Sequence, residues 1–505
     1  MDTQDTRQPS ILLTNIYLMN RAGSELHTLM LAKNLTDAGW DVTCLTLVYA
    51  YPMRHEFEFA GIMVLTLDDK DKLRKHYDVL FAQHATVSEY VWYQCDVTFD
   101  SVVISILSVT NDIERVPSFW QQADAFVFVS EEAKSAKLEH IDVAKNVPIL
   151  VFPNYAEQAF FDVPEHELPH APTHACCISN HPPAEVYELA KQSDKTGFSL
   201  DIFGMETRSI DVTPELLDSY DLVITIGRTV QDCLAAGVPC YCYDYFGGPG
   251  YITCANWERH AWYNFSGRSE PTQRSADELY QNIQEGYEET TQGTHDLRII
   301  AKEHFDLEKL FEEFLQLLDS LPRGQCKGKG TCSLEKTDQL MRDCANLVLT
   351  YQNFEGIAQI FYAGRGHEGG PYTEERSVWF RYAYGSDIKV CLSDFHLHED
   401  VCAVRFDPDV RPCKVLVYSA AAEPFNAFSC EADGTATFLT EDPIYLTKAS
   451  DELAFRAQRV PFSEVEHAIT ELKDQVARLE AEAAAAKEKP SLSTKLGRWL
   501  KGRHS

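Results

Sequence analysis

Two doubly wound α/β domains in tandem, followed by a small all-β sandwich and a C-terminal helix, form the fold class that the sequence predicts. Three observations predict it. Apolar runs alternate with amphipathic segments from Ile11 to Leu321, the alternation restarts after residue 170, and from Leu347 short strand-like runs follow one another with no helical period between them. With 505 residues, 45% apolar and 24% charged, the chain has material for about three domains of roughly 150 residues.

Ile11 to Asn15 reads as the first strand, and Gly23-Ser24-Glu25 sits in the loop after it. Leu26, Leu29, Met30 and Leu35 recur at helical spacing up to Ala38-Gly39, a helix-ending signal. Val42 to Val48, Ile62 to Leu67, Asp78 to Ala82, Val102 to Leu107, Ala125 to Val129 and Val147 to Phe152 continue as strands. Strands interleaved with helices require crossover connections, hence a mainly parallel sheet covered on both faces. The second domain brings strands at His174 to Ser179, Phe198 to Phe203, Leu222 to Ile226 and Val238 to Tyr243, then a glycine-rich turn from Phe246 to Gly250. Asp296 to Leu321 is one long amphipathic stretch that closes this domain. The expected division is 1–170 and 171–321 for the two α/β domains, a linker at 322–345, a sandwich at 346–458, a helix at 461–489 and a tail at 490–505.

Open α/β sheets bind ligands beyond the carboxyl ends of their strands, so the chemistry is expected between the two domains. Gly227-Arg228-Thr229-Val230-Gln231 follows a strand and opens a helix. Glycine there lets the backbone approach a ligand, and the helix start presents unpaired N–H groups suited to a diphosphate. Arg228 can add a charge-assisted contact, and Asp232, one turn on, can accept hydrogen bonds from ribose hydroxyls. From spacing alone, a glycine capping a strand and an Asp on a solvated helix face fit as well. His84 ends a strand and faces the expected cleft, where a neutral imidazole could deprotonate a hydroxyl; a structural histidine bonded to a loop is the alternative. Glu25 lies just inside a helix start, where the dipole favours a carboxylate in any case.

A net charge of −32 argues against a nucleic-acid partner, which needs clustered cations. No apolar run reaches the roughly 20 residues that span a bilayer, Met1-Asp2-Thr3-Gln4-Asp5 lacks a secretory pattern, and the 15 cysteines read as reduced thiols, so a cytoplasmic protein is expected. Cys326 and Cys332 are two ligands short of a zinc site, and Asp68-Asp69-Lys70-Asp71 reads as a solvated helix start; no metal site is expected.

The sequence resembles the GT-B glycosyltransferases, in particular the large group that includes bacterial cell-surface polysaccharide transferases. The resemblance runs through Gly23-Ser24-Glu25, Ala123 to Ser130 and Val151-Phe152-Pro153-Asn154. It is most specific in Ile178-Ser179-Asn180-His181-Pro182-Pro183, in Gly227 to Gln231 with Ala235-Ala236-Gly237-Val238-Pro239, in Tyr241 to Asp244 and in Asn264-Phe265-Ser266-Gly267-Arg268. It implies two Rossmann-like domains, a nucleotide-diphosphate sugar as co-substrate with no further cofactor, and a glycan or lipid-linked acceptor. The donor side would comprise Asn180, His181, Gly204, Gly227, Arg228, Thr229, Val230, Gln231, Asp232, Phe246, Gly247 and Gly248. Gly23, Ser24 and Glu25 would face the acceptor, and His84 would be the catalytic base. By family position a second donor-binding Glu is expected eight residues before Asp232, and this chain has Ile224 there. A nucleotide-sugar 2-epimerase, or a non-catalytic carbohydrate-binding or scaffold protein, are the alternative readings.

Beyond the α/β domains, Arg405-Phe406-Asp407-Pro408 and Glu441-Asp442-Pro443 resemble parts of an accessory β-module found beside surface-polysaccharide transferases. Val465, Ile469, Leu472, Val476, Leu479, Ala483 and Ala486 alternate by four and three, a seam that suits a homodimeric coiled coil or packing on the same chain. After Pro490, Lys495, Arg498 and Lys501 accompany Trp499 and Leu500 with no acidic residue. A short basic amphipathic segment of this kind suits peripheral attachment to the inner face of an anionic cell membrane; a solvated tail is the alternative.

Overall fold

The computed structural model describes residues 7–164, 168–179, 182–192, 197–204, 210–328, 355–364, 372–373, 376–391, 401–409, 411–418, 422–439, 443–448 and 452–460. They divide into two units, 1–355 with 381–390, and 356–380 with 391–505. The strand expected at Leu347–Leu349, the heptad seam 465–486 and the tail residues Lys495, Arg498, Trp499 and Lys501 lie outside the described residues.

The first unit opens with β1 (Ser10–Thr14), α1 (Gly23–Asp37), β2 (Asp41–Thr46), α2 (Met53–Phe59), β3 (Met63–Thr66), β4 (His76–Gln83), α3 (Ala85–Gln94), β5 (Thr98–Ile106), β6 (Ala125–Phe128), α4 (Glu131–Leu138) and β7 (Ile149–Val151). The strands form one parallel sheet in the order β3-β2-β1-β4-β5-β6-β7. Every residue of β1 is buried, as a strand covered on both faces requires. The connection out of β7 carries α5 (Gln158–Phe161).

A second α/β layer follows: β8 (His174–Ile178), α6 (Ala184–Lys191), β9 (Ser199–Phe203), α7 (Pro214–Asp218), β10 (Leu222–Thr225), α8 (Arg228–Ala236), β11 (Cys240–Asp244), β12 (Gly247–Tyr251), α9 (Trp257–Trp262) and α10 (Ala276–Gln292). The sheet order is β9-β8-β10-β11-β12, parallel except for β12. The glycine-rich segment expected to be a turn is therefore an antiparallel edge strand, and the turn proper is Tyr245–Phe246. An edge strand tolerates Pro249, and its glycines answer crowding: an added Cβ on Gly248 would stand 2.0 Å from Cys242 O, and one on Gly247 2.5 Å from Thr272 O.

The long amphipathic stretch after residue 296 is two helices, α11 (Thr294–His304) and α12 (Leu307–Ser320). The break has a cause: Ala156 N donates to Phe305 O (2.8 Å) and Leu307 N to Ala156 O (3.1 Å), while the Asp306 carboxylate accepts from Glu308 N and caps α12. Instead of closing the second layer, α12 packs into the core of the first, with Phe314 fully buried edge-on to Phe81 (5.7 Å) and Phe152 (5.9 Å). The start of the expected linker also lies on the first layer, where Phe99 and Lys327 exchange backbone hydrogen bonds and Lys327 pairs with Asp124 (2.6 Å). Tyr382 bridges Tyr51 from the 381–390 segment of the same unit.

The second unit is antiparallel β. Val401–Asp407 pairs with Glu355–Gly364 and Tyr445–Lys448; Cys413–Val417 pairs with Glu452–Arg459 and Ala436–Phe438. Phe406 of one sheet lies 4.7 Å from Phe455 of the other, and Tyr445 donates to Val415 O (3.1 Å), so aromatic side chains fill the space between the sheets. The Phe and Tyr residues of this unit therefore divide between an inner face and the exposed Phe425, Phe428 and Tyr418.

Candidate functional site

The carboxyl end of β10 runs into Gly227, whose φ of 63° and ψ of −135° suit glycine and little else. Its N–H donates to Phe265 O (3.0 Å), which fixes the turn against the 264–268 loop. No side chain caps α8; Val230 N–H turns back to Gly227 O (3.1 Å), which leaves the N–H groups of Arg228 and Thr229 for a ligand or solvent. Gln231 folds back on this turn and, with its amide nitrogen facing inward, donates to Gly227 O and Arg228 O.

Arg228 leaves α8 toward the segment that joins the two layers. Its Nη2 donates to Glu157 Oε1 (2.9 Å), its Nε lies 4.0 Å from Asp232 Oδ2, and its guanidinium stacks on the Tyr155 ring at 4.6 Å. Burial works against the charge, but Tyr155, Asp232 and Glu157 outweigh it and raise the guanidinium pKa. Asp232 is buried, which pushes its carboxyl up to about 7 against the pull of Arg228, with Glu157 adding to the rise. From α1, His27 comes within reach of the Arg228 charge; burial first and that charge second lower its pKa to about 4. Its ring meets Phe152 edge-on at 5.8 Å. Four buried polar atoms of this group have no hydrogen-bond partner: His27 Nε2, Tyr155 Oη, Arg228 Nε and Asp232 Oδ1. Buried polar groups are nearly always satisfied, so four orphans in one constellation mark a place for a ligand.

On the first layer, Gly23 opens α1 and an added Cβ there would meet nothing within 4 Å. Ser24 Oγ donates to Glu25 Oε2 (2.7 Å), Glu25 Oε1 has no partner, and burial lifts the Glu25 carboxyl to about 7. His84 departs from its expected role. Its backbone adopts φ 61°, its Nδ1 accepts from Ile16 N (3.1 Å), and its Nε2 lies 3.2 Å from Glu114 Oε1, off the line of a good hydrogen bond. With a 2% exposed ring and both nitrogens facing protein groups, His84 presents no base to a hydroxyl in the cleft; it ties the β1 and β4 loops together.

The expected donor-side residues separate. Gly227, Arg228, Thr229, Val230, Gln231 and Asp232 share the α8 start, with the Val230 side chain fully buried in the core. Gly247 and Gly248 lie in β12, where backbone crowding by itself accounts for the absence of a side chain. Phe246 is 40% exposed beneath Arg268 (5.9 Å), and Gly204 directly follows β9. Asn180 and His181 lie outside the described residues. Ile224 is fully buried between Cys177 and Tyr241 of the sheet, so a carboxylate at that place would enter apolar core. Arg268 also bonds Glu132 of α4 through two contacts of 2.5 and 3.1 Å, joining the two layers. Sequence reasoning missed His27, Tyr155 and Glu157. The available signal was a histidine on the apolar face of α1, two residues after Gly23-Ser24-Glu25.

Among the described residues one group has metal-ligand spacing, His76, Asp78 and Asp100. It sits at the amino ends of β4 and β5, away from α8, and Asp78 is already engaged by Ser10 N, Ser10 Oγ and Arg7. No described helix is long and apolar enough to cross a membrane.

No family model and no curated protein matches the chain. Among solved structures it is similar to a mutant of S. aureus TarM in complex with fondaparinux, alpha-GlcNAc-glycerol and UDP, at 10% identity over 62% of this chain and 100% of that one, with a TM-score of 0.40. MurG of Acinetobacter baumannii is 11% identical over 62% and 100% (TM-score 0.37), and the glycosyltransferase SnogD from Streptomyces nogalater 11% over 61% and 100% (TM-score 0.32). These structures are GT-B glycosyltransferases.

Proposed function

We propose that this chain is a glycosyltransferase of GT-B type that moves a sugar from a nucleotide-diphosphate donor to a hydroxyl of a glycan or lipid-linked acceptor in cell-surface polysaccharide synthesis. The observation that carries the reading is the uncapped start of α8, with Arg228 directed to the junction of two doubly wound layers and ringed by unpartnered buried groups from both. The diphosphate lies on the first-turn N–H groups and meets the Arg228 guanidinium, which exchanges its Glu157 partner for phosphate oxygens. As the sugar leaves, negative charge grows on the diphosphate, and fixed N–H dipoles with one guanidinium stabilise it without a metal ion. Asp232 accepts hydrogen bonds from donor hydroxyls. Glu25 and the open backbone at Gly23 face the acceptor.

Arg228→Ala tests the reading by titration calorimetry with UDP, GDP and dTDP and with the corresponding nucleosides. A charge-assisted phosphate contact is worth about 1.5–3 kcal/mol, so the diphosphate is expected to lose roughly ten- to a hundredfold in affinity while the nucleoside changes little. Equal losses for both would show that Arg228 does not meet phosphate.

The basic segment 490–505 supports peripheral attachment at a membrane that carries the acceptor. Removing it is expected to release the protein from anionic vesicles in a flotation assay; unchanged flotation counts against that part of the reading.

A further inference from the structure

The buried constellation at the start of α8 has more hydrogen-bond acceptors than cations. Of His27, Tyr155, Glu157, Arg228 and Asp232, Arg228 alone carries a positive charge at neutral pH, and it already has a carboxylate oxygen at 2.9 Å and another at 4.0 Å. The unpartnered atoms around it are a carboxylate oxygen of Asp232, an imidazole nitrogen of His27 and the Tyr155 hydroxyl, on side chains 3%, 6% and 1% exposed. Since the Tyr155 hydroxyl and His27 Nε2 can each donate or accept while Asp232 Oδ1 accepts when ionised, a sugar hydroxyl, itself both donor and acceptor, suits all three. An added anion would be desolvated beside the buried Asp232 carboxyl with the guanidinium already committed to phosphate, and an unpaired buried charge is among the costliest features a site can hold.

Resting on the donor reading above, we infer that the sugar half of the donor is an uncharged, hydroxyl-bearing residue held by Asp232 and His27, and that these two side chains exclude uronic-acid donors. Asp232 Oδ1 accepts from a sugar hydroxyl. His27 Nε2 accepts or donates according to its tautomer. The imidazole stays uncharged at neutral pH, because burial and the nearby guanidinium both disfavour its protonation. It therefore supplies no positive charge with which a uronate could pair.

The test uses the full chain and titration calorimetry with UDP, UDP-glucose and UDP-glucuronate, and in parallel GDP, GDP-mannose and GDP-mannuronate. In whichever series binds, the neutral sugar nucleotide is expected to bind about tenfold more tightly than its uronate, since an unsatisfied buried group is worth a tenfold factor or more. Asp232→Asn removes one carboxylate at constant shape and should shrink that ratio toward unity. His27→Gln, which keeps a polar group but changes its geometry, should weaken the neutral sugar nucleotide and leave the bare diphosphate unchanged. A uronate that binds as tightly as its neutral partner overturns the inference, and so does a ratio unmoved by Asp232→Asn. Nucleoside diphosphates that bind with no regard to the sugar overturn this inference alone. If neither UDP nor GDP binds, the donor reading falls and takes the inference with it.

Discussion

Glu25, Asp232 and His27 are each held away from their ordinary ionisation ranges chiefly by burial, and the direction differs between the carboxyls and the imidazole. The Glu25 and Asp232 carboxyls rise from 4.5 and 3.8 to about 7, so the folded chain holds protons there that the unfolded chain releases. Their burial costs nothing extra below about pH 4 and its full amount above pH 7, so stability falls as pH rises between. His27 drops from 6.5 to about 4, so its contribution rises with pH over that interval and is flat above it. The two trends oppose each other below pH 6.5. From pH 6.5 to about 7 the His27 contribution is level, and the melting temperature of the ligand-free chain is expected to decline with the two carboxyls and to level off above that. Asp232→Asn should remove part of that decline and the double variant with Glu25→Gln most of it; a slope unchanged in both would mean that these carboxyls are solvated. At this scale the sequence disclosed Gly227, Arg228 and Asp232, because a strand, a glycine and a helix start stand next to each other in the chain. It did not disclose His27, Tyr155 or Glu157, whose meeting with Arg228 depends on how two layers face each other. The His84 expectation failed for a related reason: a strand end indicates direction, but not that Ile16 N–H and Glu114 face the two ring nitrogens.

Among the elements, the parallel strands were legible because a strand covered on both faces must be an apolar run. β12 was not, since glycine has no side chain with which to signal burial. Its glycines make a sharp prediction. Gly248→Ala places a Cβ 2.0 Å from a backbone oxygen and should leave the chain insoluble or several degrees less stable, because the backbone of β11 would have to move. Gly23→Ala meets nothing, sits at the first position of α1, and should stabilise the chain by about 0.4–1 kcal/mol by restricting its unfolded state. Thermal melts of the two variants side by side decide whether crowding or ligand access governs each site. The break between α11 and α12 was likewise hidden, since the amphipathic period continues across Phe305-Asp306 and the cause of the break, Ala156, lies far away in the chain.

For the molecule as a whole, the tandem α/β order could be read from the restart of the strand–helix rhythm, but the return of the chain to the first layer could not. α12 is as amphipathic as a helix closing its own domain would be; only the partner differs. Phe314→Ala therefore should destabilise the first layer although the residue belongs to the last helix after the second, by about 3–5 kcal/mol for a fully buried aromatic. Hydrogen exchange that quickened in β1 and β4 would confirm this, and exchange confined to α11 and neighbouring helices would refute it. The chain thus passes between the layers twice, and Ala156 and Asp306 stitch those two passages together backbone to backbone. Two backbone segments bridged at one point form a narrow joint between the layers. Swinging one half against the other about it would prise Arg268 from Glu132, whereas Tyr155 and Glu157, the two neighbours of Ala156, would keep Arg228 at the pivot.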